Sequence, residues 1–97
     1  MSGLSEIIAK DARLVILREL ASQVDGRLNE TGLVHVLDLF GIRRTREWVR
    51  TQLLALAQLD AVTVEEVGTV MVASLTRHGR DHVDRRAVID GVARPSE

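Results

Sequence analysis

The chain is 97 residues long, carries a formal net charge of −1 and contains no cysteine. Its length is that of a single domain, and the lack of thiols excludes disulfides, thiolate nucleophiles and cysteine-based metal sites. The longest apolar run has five residues, at 53–57, whereas a helix that spans a bilayer needs about 20. Because charged side chains interrupt the apolar pattern of residues 1–20, we expect no signal peptide and a soluble, cytoplasmic domain.

Charge is unevenly distributed along this sequence. Residues 43–59 contain four arginines and one glutamate, for a local charge of +3, and residues 60–76 contain three acids and no base, for −3. The chain totals of 13 basic and 14 acidic residues nearly cancel, so the overall balance does not predict binding to nucleic acid. A phosphate-binding surface would therefore have to come from the basic segment alone.

The first predicted helix covers residues 4–24. Helix-forming residues fill this segment without glycine or proline, and Asp25-Gly26 ends it as a turn pair. Its apolar residues cover more than one stripe of the helix surface, which is typical of a helix that packs against a second surface. We therefore expect a homodimer that forms through this helix, with the fourth helix or the chain end in support.

Two shorter helices follow and are separated by a tight turn. After a short extended link, Asn29 caps a helix over residues 30–40, whose apolar positions repeat at the spacing of one helical face. Gly41 ends that helix, and a three-residue turn leads to Thr45, the cap of a third helix at about 46–59.

The apolar period then changes from about 3.6 residues to 2, which indicates strands. Valines alternate with other residues over 62–75 and a turn with Gly68 divides the segment, so it predicts a β-hairpin. Thr76 is predicted to cap a short fourth helix at about 77–88. Residues 90–97 are expected to form a tail after a domain of residues 1–89.

The order helix, extended link, helix, turn, helix, hairpin predicts a winged helix-turn-helix. This is a mainly α fold with a β-hairpin, in which three helices form the core and a short C-terminal helix follows. The two-stranded hairpin, or wing, covers the open edge of the core and leaves the third helix exposed on one side.

Three stretches carry a resemblance to a known family: SEIIAKDARLVILRELA at 5–21, RTREWVRTQLLALAQLDAVTVE at 44–65 and VASLTRHGRDHVDRRAVIDGVARPS at 72–96. They resemble small winged-helix proteins encoded by Mu-like transposable bacteriophages and their prophages. Members are loosely labelled as transcriptional regulators of the arsenic-repressor or multiple-antibiotic-resistance-repressor type. Within the third stretch, Leu75, Thr76 and Gly79 form a Leu-Thr-x-x-Gly motif that recurs across winged-helix regulators. The resemblance implies a small phage or prophage regulator that binds DNA.

The basic segment supplies the candidate site. Arginines at the start of a recognition helix reach phosphates and base edges in the major groove. An inward-facing stripe of Val49, Leu53 and Leu56 would place Arg46 and Arg50 on the surface. The predicted DNA contacts are Arg43, Arg44, Arg46 and Arg50, with Thr45 as cap and candidate phosphate donor, and Gln52 in support if the helix enters the groove deeply. The alternative for these arginines is a solvated surface without a ligand.

Neighbouring residues leave a second function open. Trp48, the only tryptophan, is either a base-stacking residue or, more commonly, an anchor in the core or a dimer interface. Glu65 and Glu66 on the wing would repel a phosphate backbone, so they either stay solvated or face an arginine-bearing protein. The acidic wing favours the alternative of a protein-interaction module, with a phage or host partner, that keeps the fold without DNA binding.

Catalysis and metal binding have little support in the sequence. His78 and His82 lie one helical turn apart, a spacing that allows a shared metal, but no HExxH motif accompanies them and we expect both to be solvated. No nucleophile elbow and no phosphate-cradling glycine loop occurs. We expect a protein that is not an enzyme and that requires neither a cofactor nor a metal.

Overall fold

The computed structural model describes residues 3–95. Over this range the chain forms α1 (Gly3–Ser22), β1 (Arg27–Asn29), α2 (Glu30–Leu39), α3 (Arg46–Gln58), β2 (Val62–Val67), β3 (Val70–Leu75) and α4 (Arg77–Val83). The strands form one antiparallel sheet in the order β1-β3-β2. These four helices and the three-stranded sheet make a small α/β fold that is consistent with a winged-helix-like architecture.

The core lies between one face of each long helix and the inner face of the sheet. In α3 the predicted stripe is confirmed, because Val49, Leu53 and Leu56 are all fully or almost fully buried. α1 and α2 contribute Ile16, Leu17, Leu20, Leu33 and Leu37 to the same cluster. One face of α3 is therefore buried in the core, and its opposite face lies at the surface.

The three helix caps are those that the sequence predicts. The side chain of Asn29 accepts a hydrogen bond from the Gly32 N–H at 2.8 Å, and Thr45 accepts from the Trp48 N–H at 3.1 Å. Thr76 accepts from the Gly79 N–H at 3.0 Å and donates to the Asp60 carbonyl at 2.6 Å. These bonds satisfy backbone donors that the first turn of each helix leaves without a helical partner.

The sheet has one strand more than the predicted hairpin. The expected extended link is β1, which pairs with β3 so that Leu28 lies opposite Ala73. The hairpin itself turns over Gly68 and Thr69, and Gly68 has a φ of +64°, which glycine adopts without steric cost. The wing is therefore anchored to the helical core by β1 along one edge.

The C-terminal segment corrects the predicted tail. Ile89 and Val92 are buried, and the Ala93 N–H donates to the carbonyl of Lys10 in α1 at 3.2 Å. Arg13 of α1 also donates to the Gly91 carbonyl at 2.8 Å. Residues 90–93 consequently belong to the packed structure, and the expected boundary at residue 89 does not hold for them; residues 96 and 97 of the expected tail lie outside the described residues.

His82 corrects the expectation of two solvated histidines. α4 ends at Val83, earlier than predicted, and His82 is fully buried whereas His78 is exposed. The His82 Nδ1 atom accepts from the Ile89 N–H at 3.0 Å, so the ring carries its proton on Nε2, which donates to the Ala93 carbonyl at 2.9 Å. This imidazole joins the end of α4 to the C-terminal segment.

None of the helices within residues 3–95 combines the length and apolar content that crossing a membrane would require.

Candidate functional site

The turn between α2 and α3 projects the first two arginines of the candidate site. Gly41 adopts a φ of +83°, and the Ile42 N–H returns to the Leu37 carbonyl at 2.9 Å, which closes the end of α2. Ile42 packs against the core, while Arg43 and Arg44 remain exposed. The turn thus presents two exposed cationic side chains immediately before α3.

Arg43 and Arg44 have different surroundings. The Arg43 Nε atom lies 2.8 Å from the Asp38 carboxylate, with 85% of the arginine side chain exposed. Exposed pairs of this kind contribute only about 0.2–1 kcal/mol, so a phosphate could replace Asp38 at little cost. The Arg44 guanidinium lies over the Trp48 ring, 5.4 Å from its centroid.

Thr45 and Arg46 complete the exposed part of the site. Thr45 caps α3 through its oxygen, so its hydroxyl hydrogen can still be donated to another acceptor. Arg46, in the first turn of α3, has 48% of its side chain exposed. Together with Arg43 and Arg44, it surrounds a helix N-terminus, where the macrodipole and backbone N–H groups favour an anion.

Arg50 differs from its expected role as a surface contact. Its Nε donates to Oε1 of Glu30 at 3.1 Å, and its Nη2 donates to Oε2 of the same carboxylate at 2.7 Å. Nη2 also donates to the Thr69 carbonyl in the wing turn at 3.2 Å. Because only 31% of the Arg50 side chain is exposed, this guanidinium is already engaged inside the molecule.

Glu30 also belongs to this group of residues, and the sequence does not predict it. It opens α2 and is fully buried, and its Oε2 accepts a further hydrogen bond from the Met71 N–H at 2.6 Å. The Arg46 Nε atom lies 3.7 Å from its Oε1. The pKa of Glu30 is lowered, mainly because Arg50 donates hydrogen bonds to its carboxylate. Burial acts in the opposite direction, whereas the hydrogen bond from the Met71 N–H and the charges of Arg50 and Arg46 lower the pKa further.

Gln52 is also not available to a groove. It is buried, and its side-chain oxygen accepts from the Arg13 Nε atom at 2.8 Å. Since Arg13 also binds the Gly91 carbonyl, Gln52 connects α3 with α1 and the C-terminal segment. The structure therefore removes Gln52 from the predicted contacts and assigns it to the interior.

The wing is acidic on both of its faces. Glu65 and Glu66 are neighbours in β2 and point to opposite sides of the sheet. Glu65 lies 3.8 Å from Arg27 of β1, and Glu66 lies 4.0 Å from Arg50 of α3. Both carboxylates remain mostly exposed, so the wing offers negative charge next to the arginines.

An open cleft of about 880 Å³ borders the same arginines. It runs between α2 and the start of α3, and Trp48 is half-buried there, with its side chain packed against the core. The residues that line it are Val34, His35, Asp38, Arg43, Arg44, Thr45 and Trp48. Trp48 thus anchors the start of α3 to the core, and the guanidinium of Arg44 lies over its ring.

These features define a small α/β protein with an arginine-rich surface around the N-terminus of its third helix. The chain is 39% identical over 92 residues to the uncharacterized protein gp26 of Escherichia phage Mu, and the match covers 95% of both proteins. It is also 40% identical over 73 residues to an uncharacterized protein of Haemophilus influenzae, a match that covers 74% of this chain and 71% of that protein. The chain belongs to the family of phage Mu gp26. No family model and no solved structure matches it.

Proposed function

We propose that this protein is a winged helix-turn-helix protein that binds double-stranded DNA through the start of α3 and regulates transcription in a Mu-like phage or prophage. The observation that carries the proposal is the exposure of Arg43, Arg44 and Arg46 around one helix N-terminus. In helix-turn-helix proteins this part of the recognition helix enters the major groove. The phage Mu relative supports the phage context.

The proposed contacts are fewer than the sequence predicts. Arg43, Arg44, Thr45 and Arg46 remain, whereas Arg50 is held by Glu30 and Gln52 is buried. The hairpin at 62–75 contains no lysine or arginine, so α3 and its preceding turn supply the phosphate contacts. Arginines that bind phosphates set affinity and register, and those that reach base edges set sequence preference.

The proposal is tested by the salt dependence of binding to short double-stranded DNA, measured by fluorescence anisotropy. Each neutralised phosphate contributes about 0.9 to the log–log slope, so a dimer with three arginines per protomer gives a slope of about −5. Replacing Arg43, Arg44 and Arg46 together by Ala should flatten this slope and weaken binding strongly. A screen of genomic fragments from a Mu-like phage would then identify the target.

A matched control removes three other exposed arginines. The variant Arg77→Ala/Arg80→Ala/Arg86→Ala makes the same change in net charge at a distance in sequence from α3. We expect it to keep the salt slope of the unmodified protein. The proposal fails if the unmodified protein shows no salt-dependent binding at low ionic strength, or if both triple variants lose binding equally.

The second candidate function is a protein-interaction module, and the cleft beside Trp48 together with the acidic wing favours it. A half-buried aromatic with charged groups at the rim resembles the anchor region of many protein interfaces. Under this function DNA binding is absent, and a phage or host protein binds the cleft. The test is a pull-down of phage and host proteins, in which Trp48→Ala should lose a bound protein that the unmodified chain and Val67→Ala, a change on the wing, both retain.

A further inference from the structure

We propose that Glu30 is an internal counter-ion of the arginine-rich surface and that it withholds Arg50, and in part Arg46, from DNA phosphates. This inference rests on the proposed function. The Glu30 carboxylate binds the Arg50 guanidinium in the way that a phosphate would, and it lies 3.7 Å from the Arg46 Nε atom. Glu30 is thus a positioning residue, which acts on DNA through arginines rather than by contact.

The geometry of the Arg50–Glu30 pair is that of phosphate recognition. Two nitrogens of one guanidinium meet the two oxygens of one carboxylate, at 3.1 and 2.7 Å. Arginine uses the same bidentate arrangement for phosphates. Because Oε1 also lies 3.7 Å from the Arg46 Nε atom, a single carboxylate faces both arginines of α3.

A phosphate cannot easily take the place of this carboxylate. Glu30 is fully buried with Arg50 in place. Turning Arg50 away would remove two hydrogen bonds that stabilise the charge of Glu30, and loss of the partner of a buried charge is costly. The Met71 N–H binds the same group from β3, which keeps the carboxylate in place. By contrast, Asp38 is exposed beside Arg43 and readily gives up its arginine to another anion.

The effective charge of α3 is therefore smaller than its sequence suggests. Arg46 and Arg50 carry two positive charges, and with Glu30 between them the three residues carry +1. Glu66, at 4.0 Å from Arg50, lowers the local potential further. Restoring the missing charge should strengthen DNA binding, an effect opposite to that of a mutation that merely loosens the fold.

The variant Glu30→Gln tests this inference. The amide keeps an oxygen that accepts from Met71 N–H but has no charge with which to hold Arg50. We expect tighter binding to a short double-stranded DNA at low salt. The log–log salt slope should become steeper by about 0.9 for each arginine released, hence by close to 2 for a dimer that frees one arginine per protomer.

Two controls separate release of Arg50 from a general change in charge. Glu65→Gln removes one negative charge from the wing without touching Arg46 or Arg50, because Glu65 pairs with Arg27; its slope should stay that of the unmodified protein. Glu30→Gln/Arg50→Ala should return the steeper slope to the original value. Circular dichroism of each variant checks that the fold is retained.

Each result decides the matter. Equal slopes for the unmodified protein and Glu30→Gln overturn the counter-ion role and leave the proposed function standing, and absence of binding in both overturns both. Binding by Glu30→Gln alone supports the counter-ion role and refutes DNA binding by the native protein.

If Glu30→Gln does not fold, nuclear magnetic resonance of the unmodified protein is used. A slowly exchanging Arg50 Nε–H that DNA leaves unchanged supports the inference, and rapid exchange or a shift on adding DNA overturns it.

Discussion

Glu30 ties three elements together through one buried carboxylate. It belongs to α2, accepts two hydrogen bonds from Arg50 of α3 and accepts one from the Met71 N–H of β3. Burying a charge is favourable only when nearby donors replace the water that it loses. We therefore expect the stability of the protein to depend on Arg50 more than on its exposed neighbours.

Arg50→Ala should lower the melting temperature by several degrees, because it leaves the Glu30 carboxylate with only the more distant Arg46 as a cationic partner. Arg43→Ala is the matched control, since its pair with Asp38 is exposed on both sides and contributes little. Thermal unfolding followed by circular dichroism compares the two. Equal melting temperatures for both variants would show that the buried pair does not stabilise the fold.

Acid should weaken the fold through the same carboxylate. The pKa of Glu30 is lowered, mainly by the hydrogen bonds from Arg50, so its stabilising effect is complete above the unfolded value of about 4.3 and is lost as the pH falls through the lower folded value. The difference in melting temperature between the unmodified protein and Glu30→Gln should then shrink as the pH is lowered from 7 to about 3. Parallel curves over this interval would contradict the assignment.

At the scale of elements, Thr76 and Gly79 join α4 to the turn between α3 and the wing. Thr76 binds the Asp60 carbonyl and caps α4 at once. Gly79 lies so close to the Ala61 carbonyl and the Leu75 side chain that an added Cβ would overlap both. In the Leu-Thr-x-x-Gly motif, glycine is thus required because any side chain at position 79 would clash. The threonine of the motif caps α4 and so sets where this helix starts.

His82 should contribute to stability and His78 should not. His82→Ala leaves the Ile89 N–H and the Ala93 carbonyl without their partner, at a cost of about 1–3 kcal/mol for each buried group that water cannot reach. His78→Ala changes an exposed residue of the same helix, and an effect within about 0.5 kcal/mol is expected. Urea denaturation measures both free energies of unfolding. Similar values for the two variants would exclude the proposed role of the buried imidazole.

Local signals predicted the elements, and contacts distant in sequence escaped prediction. Asn29, Thr45 and Thr76 cap helices through residues only three positions away, so the sequence reveals them. Glu30 lies 20 residues from Arg50 and 41 from Met71, and Arg13 lies 78 from Gly91. An acidic residue in the first turn of a helix is ordinary at the surface, and Asp90-Gly91 has the composition of a turn. Nothing nearby in the sequence indicates that either place is packed.

At the scale of the whole molecule, α1 has more apolar surface than its own fold covers. Its buried residues begin at Ala12, while Leu4 and Ile7 in its first two turns are 64% and 56% exposed. Val88, just before the C-terminal segment that packs on α1, is also exposed. We propose that a second copy covers this surface, as expected from the apolar pattern of the helix.

Sedimentation at micromolar concentration should therefore give a mass of twice 10.7 kDa. Leu4→Lys/Ile7→Lys should yield a monomer that still folds, because both side chains lie outside the core. Leu39→Lys/Phe40→Lys, which changes two exposed apolar residues at the end of α2, should remain a dimer. A monomeric unmodified protein would exclude this interface. The oligomeric state also determines the salt slope of DNA binding, since one protomer with three exposed arginines gives a slope of only about −3, against about −5 for the dimer.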